Sequence, residues 1–327
     1  MKKILVIQSA SIGDVILATP VVEKLHAAFP EAKLDLLVKK GNETLFTGHP
    51  FLNEVLIWDK SSRSLMNFDK LMHRVWNARY DLIVNIQRFL LTGLMTAFSG
   101  AKMKIGFDKN PVSSLFTTRV PHIINDSMHE TQRNLSLIAP LTDAGSAKPK
   151  LYPTVQNIKR VEPYTTGTYY TISPASLWFT KQYPARQWIS FIRMIPPGCM
   201  IYLLGSISDH ALCEQIRIQS GSGFCKNLAG EFTFLESAAL MSKAKMNFTN
   251  DSAPMHLASA VNAPVTAVFC STVPEFGFGP LSDDSVTLQT DEKLNCKPCG
   301  LHGLEQCPEK HFRCALSLSI DKLIARC

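Results

Sequence analysis

Short apolar runs alternate along this chain with segments whose apolar positions recur every three or four residues, the pattern of parallel strands joined by helices. The first repeat of that pattern is a strand at 3–8 (KILVIQ), a helix over 13–29 and a strand at 33–38 (KLDLLV). Ile12, Val15, Ile16, Ala18, Val22, Leu25 and Phe29 approximate one face of the helix. Further strands are expected at 54–58, 80–86 and 104–107, with helical patterns between them. From about 141 to 168 the periodicity fades and Gly145, Pro149, Pro153, Pro163 and Gly167 accumulate, as in an interdomain connection. A second series follows, with strands at 169–173, 199–206, 245–249 and 264–269 and helices near 184–195, 208–219, 233–243 and 252–262. The expected fold class is α/β, in two doubly wound halves, residues 1–160 and 161–327.

Composition agrees with that division. A chain of 327 residues, 46% hydrophobic and 19% charged, is long enough for two cores and is neither disordered nor fibrous. The net charge of +7, from 34 Lys and Arg against 27 Asp and Glu, attracts anions. Basic runs with interleaved aromatic residues are missing, so phosphorylated small molecules or an anionic membrane face are expected as partners, not nucleic acid.

The uncharged stretch 252–274 is about long enough to span a bilayer. Pro254, His256, Asn262 and Pro264 break it into a buried helix and a buried strand. A second uncharged stretch, 89–101, is too short to span and reads as a greasy surface near lipid. Lys2 and Lys3 precede an apolar run as in a signal peptide, but Asp14 interrupts it, so the run reads as a first core strand in a cytoplasmic protein. The nine cysteines are then expected as reduced thiols or metal ligands.

Ligands of open α/β sheets bind at the carboxyl ends of strands, which directs attention to the turns there. The first, QSASIGDV (8–15), lacks the G-x-G-x-x-G spacing of a dinucleotide site, which disfavours a nicotinamide or flavin enzyme. Its Gly13 and Asp14 stand at a helix start, where an acid favourably meets the positive helix end. The catalytic reading of Asp14 is a carboxylate that accepts a hydroxyl proton.

In SPASLWFTKQYPARQW (173–188), Lys181 lies just before a helix, within reach of a phosphate, and Ser176 is a turn residue. In LLGSISDH (203–210), Asp209 is either a helix cap or a carboxylate for ribose hydroxyls. In FTNDSAPMHLASAVNAP (248–264), Asp251 or Ser252 caps an almost wholly apolar helix with Pro254 in its first turn. The amino end of such a helix is a ready site for a diphosphate. His256, within it, reads by itself as a core histidine.

Finally, Cys296, Cys299, Cys307 and Cys314 lie within about twenty residues, with His302 and His311 interspersed. A structural zinc and a set of buried thiols are both open readings, and disulfides are disfavoured in a reducing compartment.

Taken in order, KILVIQSASIGDVILATPVVEKLHAAFPEAKLDLLV, TKQYPARQW and CKNLAGEFTFLESAALMSKAKMNFTNDSAPMHLASAVNAP resemble the heptosyltransferases of glycosyltransferase family 9. The resemblance implies a GT-B fold, two Rossmann-like domains facing a central cleft, with the acceptor bound by the first and the nucleotide sugar by the second. A final helix, within 317–327, is expected to return to the first domain.

Asp14 then matches the base, beside Gly13 in the acceptor-side loop. Lys181 matches a catalytic phosphate or sugar contact, Asp251 the donor-sugar contact of a D-S motif, Asp209 the ribose acid and Ser176 a hydroxyl near the donor. Ser252 and His256 fall on the donor side. The implied reaction is inverting transfer of a heptose from an ADP-sugar to a phosphorylated lipid A or inner-core acceptor at the cytoplasmic membrane face, with no catalytic metal or cofactor. Ala175, Ala253 and Cys270 stand where the family pattern has glycine, Tyr183 where it has tryptophan and Ser271 where it has proline. These departures surround the donor. A nucleotide-sugar epimerase of the same fold and a non-catalytic nucleotide-sugar or lipid-glycan binding protein are the alternatives.

Overall fold

In the computed structural model, which describes residues 1–60, 64–124, 128–143 and 145–327, most of the expected apolar runs are strands, and the central ones are buried on both faces. Two compact units result, Met1–Tyr152 and Pro153–Cys327.

The first unit contains β1 (Lys3–Ile7), α1 (Ile12–Ala28), β2 (Lys33–Lys39), β3 (Leu52–Trp58), α2 (Ser64–Ala78), β4 (Leu82–Asn85), α3 (Leu90–Ala97), β5 (Met103–Phe107), β6 (Thr118–Val120) and α4 (Glu130–Ser136). Its six strands are parallel in the order β3-β2-β1-β4-β5-β6. Chain order reverses between β1 and β4, where Ile7 pairs with Asn85. Helix α1 runs through Pro20. Proline cannot donate to the carbonyl four residues back, and the Thr19 hydroxyl donates to that carbonyl, Ile16 O, at 2.7 Å instead.

The second unit contains α5 (Val155–Val161), β7 (Tyr169–Ser173), α6 (Ala185–Met194), β8 (Met200–Leu203), α7 (His210–Ser220), β9 (Cys225–Asn227), α8 (Phe234–Met241), β10 (Met246–Asn250), α9 (Ala253–Ala260), β11 (Val265–Val268), β12 (Ser285–Leu288), α10 (Arg313–Leu316) and α11 (Asp321–Ile324). Its parallel sheet runs β12-β11-β10-β7-β8-β9, the same topology again, with the reversal between β7 and β10. Trp188, Phe191, Phe248 and Ile172 form its core.

Three features differ from the sequence reading. Helix α5 lies inside the stretch read as a connection, capped by Thr154, whose Oγ1 accepts from Asn157 N at 3.3 Å. It packs on α8 and so belongs to the second unit. Strands β6, β9 and β12, all on the outer side of a sheet, carry no apolar run that would announce them. The closing residues are built into the second unit's core, a place the sequence reading did not give them: Leu318 and Leu323 are buried there, and Leu318 O accepts from Tyr183 Oη at 3.3 Å.

Helix α3 is seated by Asn110, whose Nδ2 donates to Gln87 O and Phe89 O, both at 3.1 Å. A Cβ at Gly93 would stand 2.0 Å from Asn110 Oδ1. Gly93→Ala is therefore expected to cost about 1–3 kcal/mol through overpacking, measured as a lower denaturant midpoint at unchanged slope.

Candidate functional site

At the β7/β10 reversal the connections leave in opposite directions, which opens a crevice at the strands' carboxyl ends. The Asn250 side chain, at the end of β10, closes one wall. Its Nδ2 donates to Pro174 O at 2.8 Å and its Oδ1 accepts from Tyr183 N at 2.9 Å, which pins both ends of the loop after β7. That loop places Lys181 Nζ 2.7 Å from Asp251 Oδ2, with both side chains largely buried, at 15% and 6% exposed. Thr272 Oγ1, from the turn after β11, donates to the same oxygen at 2.5 Å. Lys181 is thus held by Asp251.

Directly after Asp251, Ser252 takes the N-cap position of α9 without a capping bond from its hydroxyl, which donates to Asn250 O at 3.4 Å; Pro254 is in the first turn as expected, and His256 is buried within the helix. The amino end of α9, with its positive dipole, opens beside the ion pair. Asp209 is in the turn between β8 and α7, where its Oδ2 accepts from Ser206 N at 2.8 Å and Ser206 Oγ at 2.7 Å. It is a capping carboxylate of the turn before α7. Ser176 is half-buried in the loop after β7, its carbonyl accepting from Gln182 Nε2 at 2.7 Å. The structure therefore brings Lys181, Asp251, Ser252 and α9 together, with Asp209 in the turn after β8, the strand next to β7.

In the first unit, Gly13 and Asp14 form the opening turn of α1. Asp14 Oδ2 accepts from Ser11 Oγ at 2.5 Å and Ser11 N at 3.2 Å, leaving the carboxylate half-buried. Sequence reasoning missed its surroundings. Helix α4 packs on α1, and its Glu130 pairs with the buried Arg133 at 2.8 Å. Burial, reinforced by the charge of Asp14, holds the Glu130 carboxyl above its usual range against the pull of Arg133 and Arg88. Burial and the same two arginines push His122 down to about 4. The readable signal was the helix start HETQ ahead of RNLSLI, in which Gln132 Oε1 accepts from His129 N at 3.1 Å. Residues 1–152 hold 19 Lys and Arg against 13 Asp and Glu, so nearly all of the +7 excess lies in this unit.

Of the four clustered cysteines, Cys314 is buried and Cys296, Cys299 and Cys307 are half-buried. Among the described residues no three His, Cys, Asp or Glu side chains are gathered to hold a metal ion. Cys314 is buried in the apolar core, Cys299 Sγ bonds to Cys296 O at 3.3 Å, and Cys296 Sγ lies 3.8 Å from His311 Nε2. All nine cysteines are free thiols, and burial raises that of Cys314 to about 11. No helix among the described residues is long and apolar enough to cross a membrane.

The profile of glycosyltransferase family 9 (heptosyltransferase) matches residues 68–310, and the chain belongs to that family. Lipopolysaccharide heptosyltransferase 3 of Escherichia coli is 27% identical over 275 residues, 80% of this chain and 81% of the relative. The fold matches that of E. coli ADP-heptose lipopolysaccharide heptosyltransferase II, with a TM-score of 0.80 at 21% identity over 100% of this chain and 97% of the other. An E. coli heptosyltransferase solved with ADP superposes with a TM-score of 0.74 at 16% identity, over 99% and 98% of the two chains. The protein is thus a glycosyltransferase with a GT-B fold.

Removing one member of a buried ion pair strands the other, at a typical cost of about 3–5 kcal/mol. Lys181→Met and Asp251→Ala are each expected to destabilise the protein, and the double variant by less than their sum, with a coupling of about 1–3 kcal/mol in denaturant unfolding. Additive losses would mean that the pair does not form.

Proposed function

We propose that this enzyme transfers a heptose from an ADP-sugar to a phosphorylated inner-core acceptor of lipopolysaccharide, with inversion at the anomeric carbon. The observation that carries the reading is the Lys181–Asp251–Thr272 cluster beside the amino end of α9. It concentrates a cation, an orienting carboxylate and a helix dipole where a nucleotide sugar binds in doubly wound sheets. Family membership supports the transfer chemistry, and the relatives' names supply the heptose, ADP and lipopolysaccharide.

In the step, Asp14 takes the proton of an acceptor hydroxyl as its oxygen bonds to the anomeric carbon. The bond from that carbon to the diphosphate breaks on the opposite face, and ADP departs with the electron pair. Lys181 and the α9 amino end meet the charge that develops on the leaving group. Asp251 orients the sugar, and Asp209 accepts from ribose hydroxyls once these displace Ser206. A single displacement asks for one base and a stabilised leaving group, so no metal enters the step.

The acceptor reading rests on the basic excess of the first unit and on its exposed Phe89 and Leu90 beside Arg88, which suit a phosphorylated lipid held at the cytoplasmic membrane face. Asp14→Asn is expected to lower acceptor-dependent ADP release about 10²–10⁴-fold, with ADP binding and melting temperature close to wild type. Near-normal turnover by a folded variant would remove Asp14 from the base role.

A further inference from the structure

Thr180, the residue before Lys181, is 1% exposed, and three separate segments of the chain meet on its hydroxyl. Its Oγ1 accepts from Ser271 Oγ at 2.9 Å, in the turn after β11, and from Leu304 N at 2.8 Å, in the cysteine-bearing run. Its own N–H donates to Leu304 O at 3.1 Å, which makes the link to that run reciprocal. The run is joined to the same turn a second time, by Cys299 N donating to Ser271 O at 2.8 Å.

The neighbours of these residues are the polar groups of the crevice. Lys181 follows Thr180, Thr272 follows Ser271, and both side chains end on Asp251 Oδ2. Gly303, next to Leu304, lies flat against the lysine stem. A Cβ there would come within 2.9 Å of Lys181 Cγ and 3.2 Å of Thr180 Oγ1, and the residue's φ of +80° also favours glycine. A lysine side chain has about 2 kcal/mol of rotamer freedom to lose, and here a wall and a hydrogen-bonded hub restrict it in advance.

We infer that Thr180 is a positioning residue for the transfer, and that through it the cysteine-bearing run from Cys299 to Leu304 forms a wall of the donor site and holds Lys181 on Asp251. This role rests on the donor-site reading above. It gives the run a function that needs no metal, and it uses Ser271, the residue found where the family pattern has proline. Without the Thr180 hydroxyl, Leu304 N–H and the Ser271 hydroxyl lose a buried acceptor, and two of the four links among the three segments are gone. A displacement well below 1 Å at Lys181 then weakens the contact that matters as the diphosphate leaves.

The test is acceptor-dependent ADP release with ADP-heptose, measured for wild type, Thr180→Val, Thr180→Ser, Lys181→Ala and the Thr180→Val/Lys181→Ala double variant. Thr180→Val is expected to lower kcat about tenfold or more, with a smaller change in KM for the donor, and Thr180→Ser to restore it. In the Lys181→Ala background Thr180→Val should have no further effect, whereas a merely structural threonine would lower both backgrounds alike. Equal turnover of wild type and Thr180→Val, or an undiminished effect without Lys181, overturns the inference. Absence of ADP release by wild type would instead overturn the donor-site reading. If Thr180→Val does not fold, Ser271→Ala removes one of the two donors to Thr180 and should show the same dependence on Lys181 with a smaller loss.

Discussion

A lysine and a carboxylate taken out of water together constrain everything around them. Their mutual attraction offsets the lost hydration only if the geometry is good and the remaining polar atoms are bonded. Around Lys181 and Asp251 the second unit meets both conditions: Thr272 bonds the carboxylate, Asn250 closes the loop that carries the lysine, and Thr180 anchors that loop from behind. The pair is consequently set before any ligand arrives, and the diphosphate of the proposed donor would meet a cation whose position is already fixed. Such preorganisation is what makes electrostatic stabilisation effective in a site shielded from water.

The two sheets supply the frame. Each repeats the same order of six parallel strands, and each carries its candidate chemistry on connections at the strands' carboxyl ends. In the first unit this is Asp14 in the opening turn of α1, with a buried Glu130–Arg133 pair on the helix packed against it. In the second it is the ion pair and α9. The charge is divided unequally, with the basic excess almost wholly in the first unit, while Lys181 of the second is paired with Asp251.

Much of this was legible in the sequence, for physical reasons. Central parallel strands are buried on both faces, so KILVI, YYTIS and VTAV are mainly apolar runs without a charge after Lys3, and α9 is apolar because it is buried, with a serine at its N-cap position and a proline in its first turn. Edge strands have a partner on one side only, and TRV and CKN offer no such run. Asp14, Lys181 and Asp251 could be singled out from their turns, but not their partners. Nothing local in the sequence says that residue 181 meets residue 251, or that residues 180, 271 and 304 share a hydroxyl, because those contacts join segments that only the closed fold brings together. The place of Cys314 was illegible for a related reason: it faces the apolar core, a direction set by the packing of α10 and not by its distance from Cys307 along the chain.

The amino end of α9 and the Lys181–Asp251 pair are the proposed seat of the donor's diphosphate. A crystal structure of the enzyme with ADP tests this most directly. Diphosphate oxygens within about 3 Å of Lys181 Nζ and of a backbone N–H in the first turn of α9 are the predicted result. ADP bound elsewhere, with the ion pair untouched and the α9 amino end facing only solvent, would contradict it.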